Sequence, residues 1–456
     1  MSVHVKLKKG FNINLAGKAA RNIITDIVPN TYAVKASDVV GFERAKVYVT
    51  EGDIVKAGTP LFSEKQHENV MFTSPVSGEV ISIVRGEKRK LLEVRILADK
   101  TIEYESFKRY SISEISSISR QEAAEQLCKS GVWTNIIQRP YGIIANPADK
   151  PKAIFISTFD TSPLAPDYSF TLAGQEKYFQ VGIDILKKFT DGTVHVNING
   201  KAEVSPVFSG AKNCQINKFV GKHPVGNVGV QIHHINPINK GDIVWTLNPW
   251  AVCLIGKLFL EGIYDASKII AVAGSEVKNP QYYKTYVGAS VSKFLENNLK
   301  RNDVRIISGN VLTGYSIKED GYLGYYDHLI TVIPEGNKSR FFLTEGWLAP
   351  TMRPSFHRAI GLLHFLNKEK EVVMDTSTNG EERAFVMTGV YEKVLPMDIY
   401  PLYLIKAILA EDYESMEALG IYELLEEDIA LCEFIDVSKQ DWQAILRKGL
   451  DMLRLS

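Results

Sequence analysis

The stretch FTSPVSGEVISI, Phe72 to Ile83, sets a turn of small residues, Ser74-Pro75-Val76-Ser77-Gly78, between two alternating apolar segments. VTEGDIVKAGTPLFSEKQHENV, 49–70, precedes it, with tight turns at Glu51-Gly52-Asp53 and around Gly58-Thr59-Pro60. Alternation of period two between turn residues predicts short strands. Apolar clusters at Val80, Ile81, Ile83 and Val84, then Leu91, Leu92, Val94 and Ile96, extend the pattern, so 36–100 reads as all-β. The basic run RGEKRK at 85–90 fits a solvated hairpin, with docking to a partner protein or to anionic lipid headgroups as the alternative.

This pattern resembles the hammerhead of domains that carry biotin or lipoyl on a lysine at a hairpin tip. Counting back from Pro75 by the spacing of such domains lands on His67 or Glu68. Lys65 stands off that register, and EKQHEN lacks the apolar methionines that flank an attachment lysine. The expectation is a lipoyl/biotinyl-like β-sandwich hybrid kept as a scaffold, without its prosthetic group.

A chain of 456 residues exceeds one ordinary core, so two to four domains are expected. Lys+Arg and Asp+Glu both total 53, which gives no electrostatic case for nucleic acid. Four cysteines, Cys128, Cys214, Cys253 and Cys432, are far apart and form no CxxC pair, as in a reduced cytosolic protein. The N-terminus has no apolar core of a signal peptide. WAVCLIGKLFLEGIY, 250–264, is interrupted by Lys257 and Glu261 and is too short to span a bilayer. Membrane contact is therefore expected through a partner.

SRQEAAEQLCKSG, 119–131, reads as a helix, with Ser119 as cap, Glu122 completing a capping box and Gly131 ending it. KAIFIST, 152–158, reads as a buried strand and TVHVNIN, 193–199, as another. Between them, 175–192 is an amphipathic helix with Phe179, Ile183, Leu186 and Phe189 on one face. Strand, helix, strand implies an α/β layer with parallel strands. A small β-rich unit opens at 267, and the chain is helical from Pro401, with a break at Gly420.

The order of these pieces resembles the A subunit of the bacterial Na+-translocating NADH:quinone oxidoreductase family along nearly the whole chain. The resemblance is carried by SGVWTNIIQRP (130–140), KAIFISTFDTSPLAPD (152–167), GKHPVGNVGVQIH (221–233), IGKLFLEG (255–262), RIISGNVLTG (305–314) and EEDIALCEF (426–434). It implies an α+β multidomain chain. The hammerhead unit with the N-terminal segment takes 1–100, and an α/β domain like the complex I flavin subunit takes 101–256. A β-grasp-like region takes 257–375 and a helical domain 376–456. It further implies a peripheral subunit on the cytoplasmic face of the bacterial inner membrane. Other subunits hold it there, chiefly the membrane-embedded quinone-handling one. The complex uses NADH, flavins, iron centres, quinone and Na+. A free-standing flavin- or biotin-dependent enzyme, and a quinone-binding protein in its own right, are the alternatives.

In flavin-carrying relatives a glycine-rich loop cradles the FMN phosphate, because backbone N–H groups close on a phosphate only where no side chain intervenes. At that place this chain has Gly131 through Pro140, and Trp133, Ile136 and Ile137 are expected to fill the phosphate space. The relatives' acidic Glu-Cys-Glu-Pro appears as Asp160-Thr161-Ser162-Pro163. Cys432 stands alone, with Asp436 where many family members have a second cysteine, so no iron–sulfur cluster is expected. No catalytic, cofactor-binding or metal residues are therefore expected in this chain. Trp133, Arg139 and Tyr141 on the remodelled segment are the candidates to face a quinone, by stacking and by a guanidinium hydrogen bond. His233 and His234, read as strand residues, point to opposite faces and do not share a metal. His223 and His233 are expected to hydrogen-bond backbone. The run Glu423, Glu426, Glu427 and Asp428 reads as helix N-terminal bias or a solvated face.

Overall fold

The structure is a computed structural model that describes residues 2–337, 341, 371–387 and 389–455. The region expected at 257–375 thus lies outside the described residues at 338–340 and 342–370. The central layer is a seven-stranded sheet. Its order is His4–Lys6, Gln215–Val220, Thr193–Asn199, Ala153–Ser157, Val244–Leu247, Ile137–Arg139 and Ile143–Ile144. The first five strands are parallel and the last two antiparallel. The chain winds outward from Ala153–Ser157 on one side and then crosses to Val244–Leu247 on the other. Strand order therefore reverses between these two, and a crevice opens at their carboxyl ends.

The expected helix forms as Arg120–Ser130, with the Ser119/Glu122 capping box and a left-handed Gly131. Helix Glu176–Leu186 buries Phe179, Ile183 and Leu186, and crosses helix Pro249–Glu261. At that crossing a Cβ on Gly182 would collide with the Val252 carbonyl, and one on Gly256 with that of Tyr178. Burial on nearly every side explains why 250–259 is so apolar without spanning a membrane. Among the described residues no helix is long and apolar enough to do so.

One segment departs from its expected conformation. Residues 228–235 form a helix, Val228–Ile235, although their β-branched content reads as strand. They make the crossover between two parallel strands, and that position requires a helix on the sheet face. His233 and His234 are thus adjacent on a helix rather than on opposite strand faces.

The hammerhead unit pairs a four-stranded sheet (Thr31–Lys35, Leu91–Ala98, Gly78–Arg85, Ile54–Val55) with a three-stranded one (Ala45–Val47, Pro60–Glu64, His67–Thr73). Phe42, Phe62 and Phe72 pack between them, with Phe62 stacked on Phe72 at 4.8 Å. The hairpin tip is Lys65-Gln66, not His67 or Glu68. Pairing jumps from Ser63↔Met71 to Glu64↔His67, so the second strand absorbs extra residues and the count from Pro75 overshoots.

The N-terminal segment grouped with this unit supplies edge strands elsewhere. His4–Lys6 extends the seven-stranded sheet, and Ala20–Ile24 pairs with Gln281–Tyr286. That strand closes a six-stranded sheet whose other members are Ser267–Ala273, Leu329–Pro334, Val304–Ser308 and Tyr315–Ile317. Helices Pro401–Leu409, Tyr413–Ala418, Glu426–Ile435 and Trp442–Leu455 end the chain, with a left-handed Gly420 between the second and third.

Gly78 has φ +149°, and a Cβ there would collide with the Leu97 carbonyl across the sheet. Gly78→Ala should lower unfolding stability by about 3 kcal/mol, read as an earlier urea midpoint. An unchanged midpoint would show that the turn tolerates a side chain.

Candidate functional site

A cavity of about 330 Å³ opens in the crevice at the strand reversal. Its floor is Ser157, Phe159 and Asp160 after one strand, and Thr246, Leu247 and Asn248 at the end of the other. Asn248 caps helix Pro249–Glu261 by accepting the Trp250 N–H at 2.9 Å, and its Nδ2 donates to the Tyr168 hydroxyl at 2.7 Å. Trp250 and Tyr168 form an aromatic wall with His328, whose ring meets them edge-on at 5.5 and 5.9 Å. The six-stranded unit contributes His328, Tyr326, Leu312 and Thr313, and the C-terminal helices contribute Leu425 and Glu427. Three parts of the chain thus meet at one space.

The degenerate segment borders this space without filling it. Asn135, Ile137 and Arg139 line the cavity. Trp133 and Ile136 turn the other way and are fully buried. Trp133 packs on Phe189 and Trp245, and its Nε1 donates to the Ala145 carbonyl at 2.7 Å. The expectation that Trp133 and Ile136 occupy the cleft is therefore corrected: a large indole gains more from the apolar core behind the segment. Tyr141 is outside the cavity lining, edge-on to Tyr422 at 6.4 Å. Of the three residues expected to face a quinone, only Arg139 lines the cavity.

Two backbone N–H groups of this segment are already used in local hydrogen bonds. The Gly131 N–H bonds to the Cys128 carbonyl and the Ile136 N–H to that of Trp133, so neither faces outward. The cavity lining also carries two carboxyls, Asp160 and Glu427, beside the Arg139 guanidinium.

Arg139 is 1% exposed and held between two acids of helix Glu426–Ile435. Its Nη1 donates to Asp428 Oδ2 at 2.9 Å and its Nη2 to Glu427 Oε1 at 2.6 Å. Burial works against the guanidinium charge, but Asp428 and Glu427 raise its pKa above the ordinary value. Asp428 is fully buried, which corrects the reading of this acidic run as solvated. The helix N-terminal bias does hold, since Asp428 Oδ2 also accepts the Leu425 N–H at 3.0 Å. Burial and then the charge of Asp428 push the Glu427 carboxyl up to about 7, with Arg139 pulling the other way.

His223 lines the cavity, with Nδ1 3.2 Å from Thr161 Oγ1. The other histidines lie elsewhere. His233 accepts the Asp398 N–H on Nε2 at 3.0 Å, which leaves its proton on Nδ1, 2.7 Å from Glu423. His234 Nε2 donates to the Pro396 carbonyl at 2.8 Å. Together they fasten the C-terminal helices to the α/β layer. Cys432 is 1% exposed, burial pushes its thiol pKa up, and its Sγ lies 3.9 Å from the Tyr391 carbonyl. Asp436 accepts from Tyr391 Oη, Trp442 Nε1 and two backbone N–H groups, so it orders a loop.

Sequence reasoning missed Tyr168, Trp250, Asn248, Tyr326 and His328. A signal existed for the first three: they follow parallel strands at a reversal of order, where open α/β sheets place ligands.

Comparison with known proteins adds a family. The NqrA N-terminal barrel-sandwich hybrid domain matches residues 5–99, the NqrA second alpha/beta domain 118–264, and the NQRA C-terminal domain 269–319. The A subunit of the Na(+)-translocating NADH-quinone reductase of Alcanivorax borkumensis is 37% identical over 448 residues, covering 98% of this chain and 98% of that protein. Its counterpart in Neisseria meningitidis serogroup A is 37% identical over 450 residues, 98% and 99% of the two chains. Among solved structures, an air-oxidized NAD+-reducing [NiFe]-hydrogenase overlays with TM-score 0.37 and 9% identity, over 78% of this chain and 67% of that one.

Arg139→Leu should leave Asp428 buried without its counter-charge and destabilise the fold by about 3–5 kcal/mol at pH 7. The loss should shrink as the pH falls, because the stranded carboxyls, with folded-state pKa values now raised, take up protons. Denaturation at pH 5 and 7 reads both, and a pH-independent loss would contradict the assignment.

Proposed function

The chain belongs to the family of the A subunit of Na(+)-translocating NADH-quinone reductase, and on that premise we propose that it serves such a complex as a peripheral subunit without a prosthetic group. It acts at the end of the complex where quinone is handled. It lies on the cytoplasmic face and docks chiefly on the membrane-embedded quinone-handling subunit. The cavity at the strand reversal takes the quinone headgroup. The observation that carries this reading is the combination of aromatic wall and polar floor in one space. Trp250, Tyr168 and His328 border the space with aromatic edges against which a planar ring can pack, while Asn248 and His223 offer hydrogen bonds to its oxygens. The acidic lining favours a neutral ring over a phosphate-bearing flavin. Electrons then come from neighbouring subunits, and this chain binds and orients.

Lys65 at the hairpin tip favours a second reading, a carrier of biotin or lipoyl. Against it, Glu64, Gln66 and His67 flank the lysine, and the hairpin is irregular beside it. Intact mass of the purified chain should equal the polypeptide alone; added biotinyl or lipoyl mass on Lys65 would establish the carrier.

The headgroup reading is tested by titrating a short-chain benzoquinone while following tryptophan fluorescence. Saturable quenching is expected, largely lost in Trp250→Phe and retained in Trp133→Phe. Loss in Trp133→Phe alone would place the ring elsewhere.

A further inference from the structure

Besides Ser162 Oγ and Arg139 Nε, two cavity-lining polar groups lack partners among the described residues, and their chemistry defines what the ligand must offer. His223 is 3% exposed, and its Nε2 has no hydrogen-bond partner among the described residues. Thr161 Oγ1 accepts the Gly226 N–H at 3.0 Å and lies 3.2 Å from His223 Nδ1. When Thr161 donates its own proton to Nδ1, the imidazole proton sits on Nε2. Burial holds the imidazole pKa below its ordinary value, against the pull of Asp160 and Asp428, so the ring is neutral. In that tautomer His223 presents a buried N–H donor that a ligand oxygen would answer.

Glu427 is the second group. Oε1 accepts from Arg139, while Oε2 has no hydrogen-bond partner among the described residues. Its side chain keeps 44% of its surface accessible, and the residue lines the cavity. The charged and titratable groups around it come from every wall. Arg139 projects from strand Ile137–Arg139, Glu426 and Asp428 share its helix, and Asp160 follows strand Ala153–Ser157. Tyr168 and His223 complete the set, and Glu426 is itself paired with Arg447 at 2.5 Å. One guanidinium thus serves two carboxyls, Asp428 and Glu427, beside a third, Asp160.

We propose that the cavity binds its ligand with uptake of one proton: His223 Nε2–H donates to one oxygen of a quinone headgroup, and Glu427, protonated as the ligand enters, donates through its free oxygen. This rests on the headgroup reading above and adds its regulation by pH. The proton comes from solvent, the bonds formed are hydrogen bonds, and nothing is oxidised or reduced. A carboxylate facing a carbonyl oxygen repels it, whereas a carboxylic acid bonds it, so ligand and proton stabilise each other. The neutral carboxyl also leaves the Arg139–Asp428 pair balanced. Partial burial and then the charge of Asp428 raise the Glu427 carboxyl above its ordinary range, which moves this exchange toward neutrality.

The test is the dissociation constant of a short-chain benzoquinone for the full chain between pH 6.5 and 8.5, with calorimetry in buffers of different ionisation enthalpy. Below about pH 7 the constant should be level. Above it, the constant should rise toward about tenfold per pH unit, with close to one proton taken up on binding. Glu427→Gln keeps a donor and loses titration, so its profile should be flat and its proton uptake nil. Asp160→Asn removes a like charge and should move the break to lower pH with binding retained. His223→Phe should weaken binding by about tenfold at every pH with the slope intact. Saturable binding that is flat with pH in the unaltered chain, or a slope and break untouched in both Glu427→Gln and Asp160→Asn, would overturn the proton coupling alone. Absence of saturable binding at any pH would overturn the headgroup reading, and the coupling with it.

Discussion

The arrangement turns on a single buried guanidinium. Arg139, at the end of an antiparallel strand, reaches into the first turn of helix Glu426–Ile435 and meets Asp428 and Glu427 there. A fully buried arginine is costly unless its charge is answered, and because Nε has no partner among the described residues, the contact with Asp428 and Glu427 fixes the separation and angle of the two parts. Packing is close enough that a Cβ on Gly229 would collide with Asp428, which brings helix Val228–Ile235 into the same junction. The C-terminal helices therefore close the crevice of the α/β layer at one defined height. What is left between them is the cavity.

Much of the fold could be read directly. The capping box at Ser119, the left-handed glycine at 131 and the apolar face of 176–186 are local signals, and each forms as local chemistry dictates. The parallel pairing of Ala153–Ser157 with Thr193–Asn199 follows from the strand–helix–strand rhythm. The errors have a different origin. Val228–Ile235 has strand-like composition and becomes a helix because its neighbours in the sheet are parallel. The hairpin tip was misplaced because a register shift consumes residues that a fixed count cannot see.

The site was legible only in part, for a related reason. Arg139 and the acids at 427 and 428 are each visible, yet nearly three hundred positions separate them, and only the folded chain shows that they pair. Trp133 drew attention as an aromatic ring on a degenerate cofactor segment, but side-chain direction decides, and the indole faces the core. Trp250, inside an apolar helical run, looked like core and is core along most of its surface, while one edge borders the cavity.

Family membership gives the chain its setting, a sodium-translocating reductase complex, and the cavity is where the proposed task would fall within that setting. Under the headgroup reading, the crevice offers a planar ring an aromatic border and an acidic, hydrogen-bonding lining. The most direct measurement is a structure of the full chain with a bromine-labelled benzoquinone, located by anomalous scattering. The account predicts one bromine peak within the crevice, with the ring against Trp250 and an oxygen within hydrogen-bond distance of His223 Nε2. A peak beside Trp133 or Tyr141 with the crevice empty would contradict it.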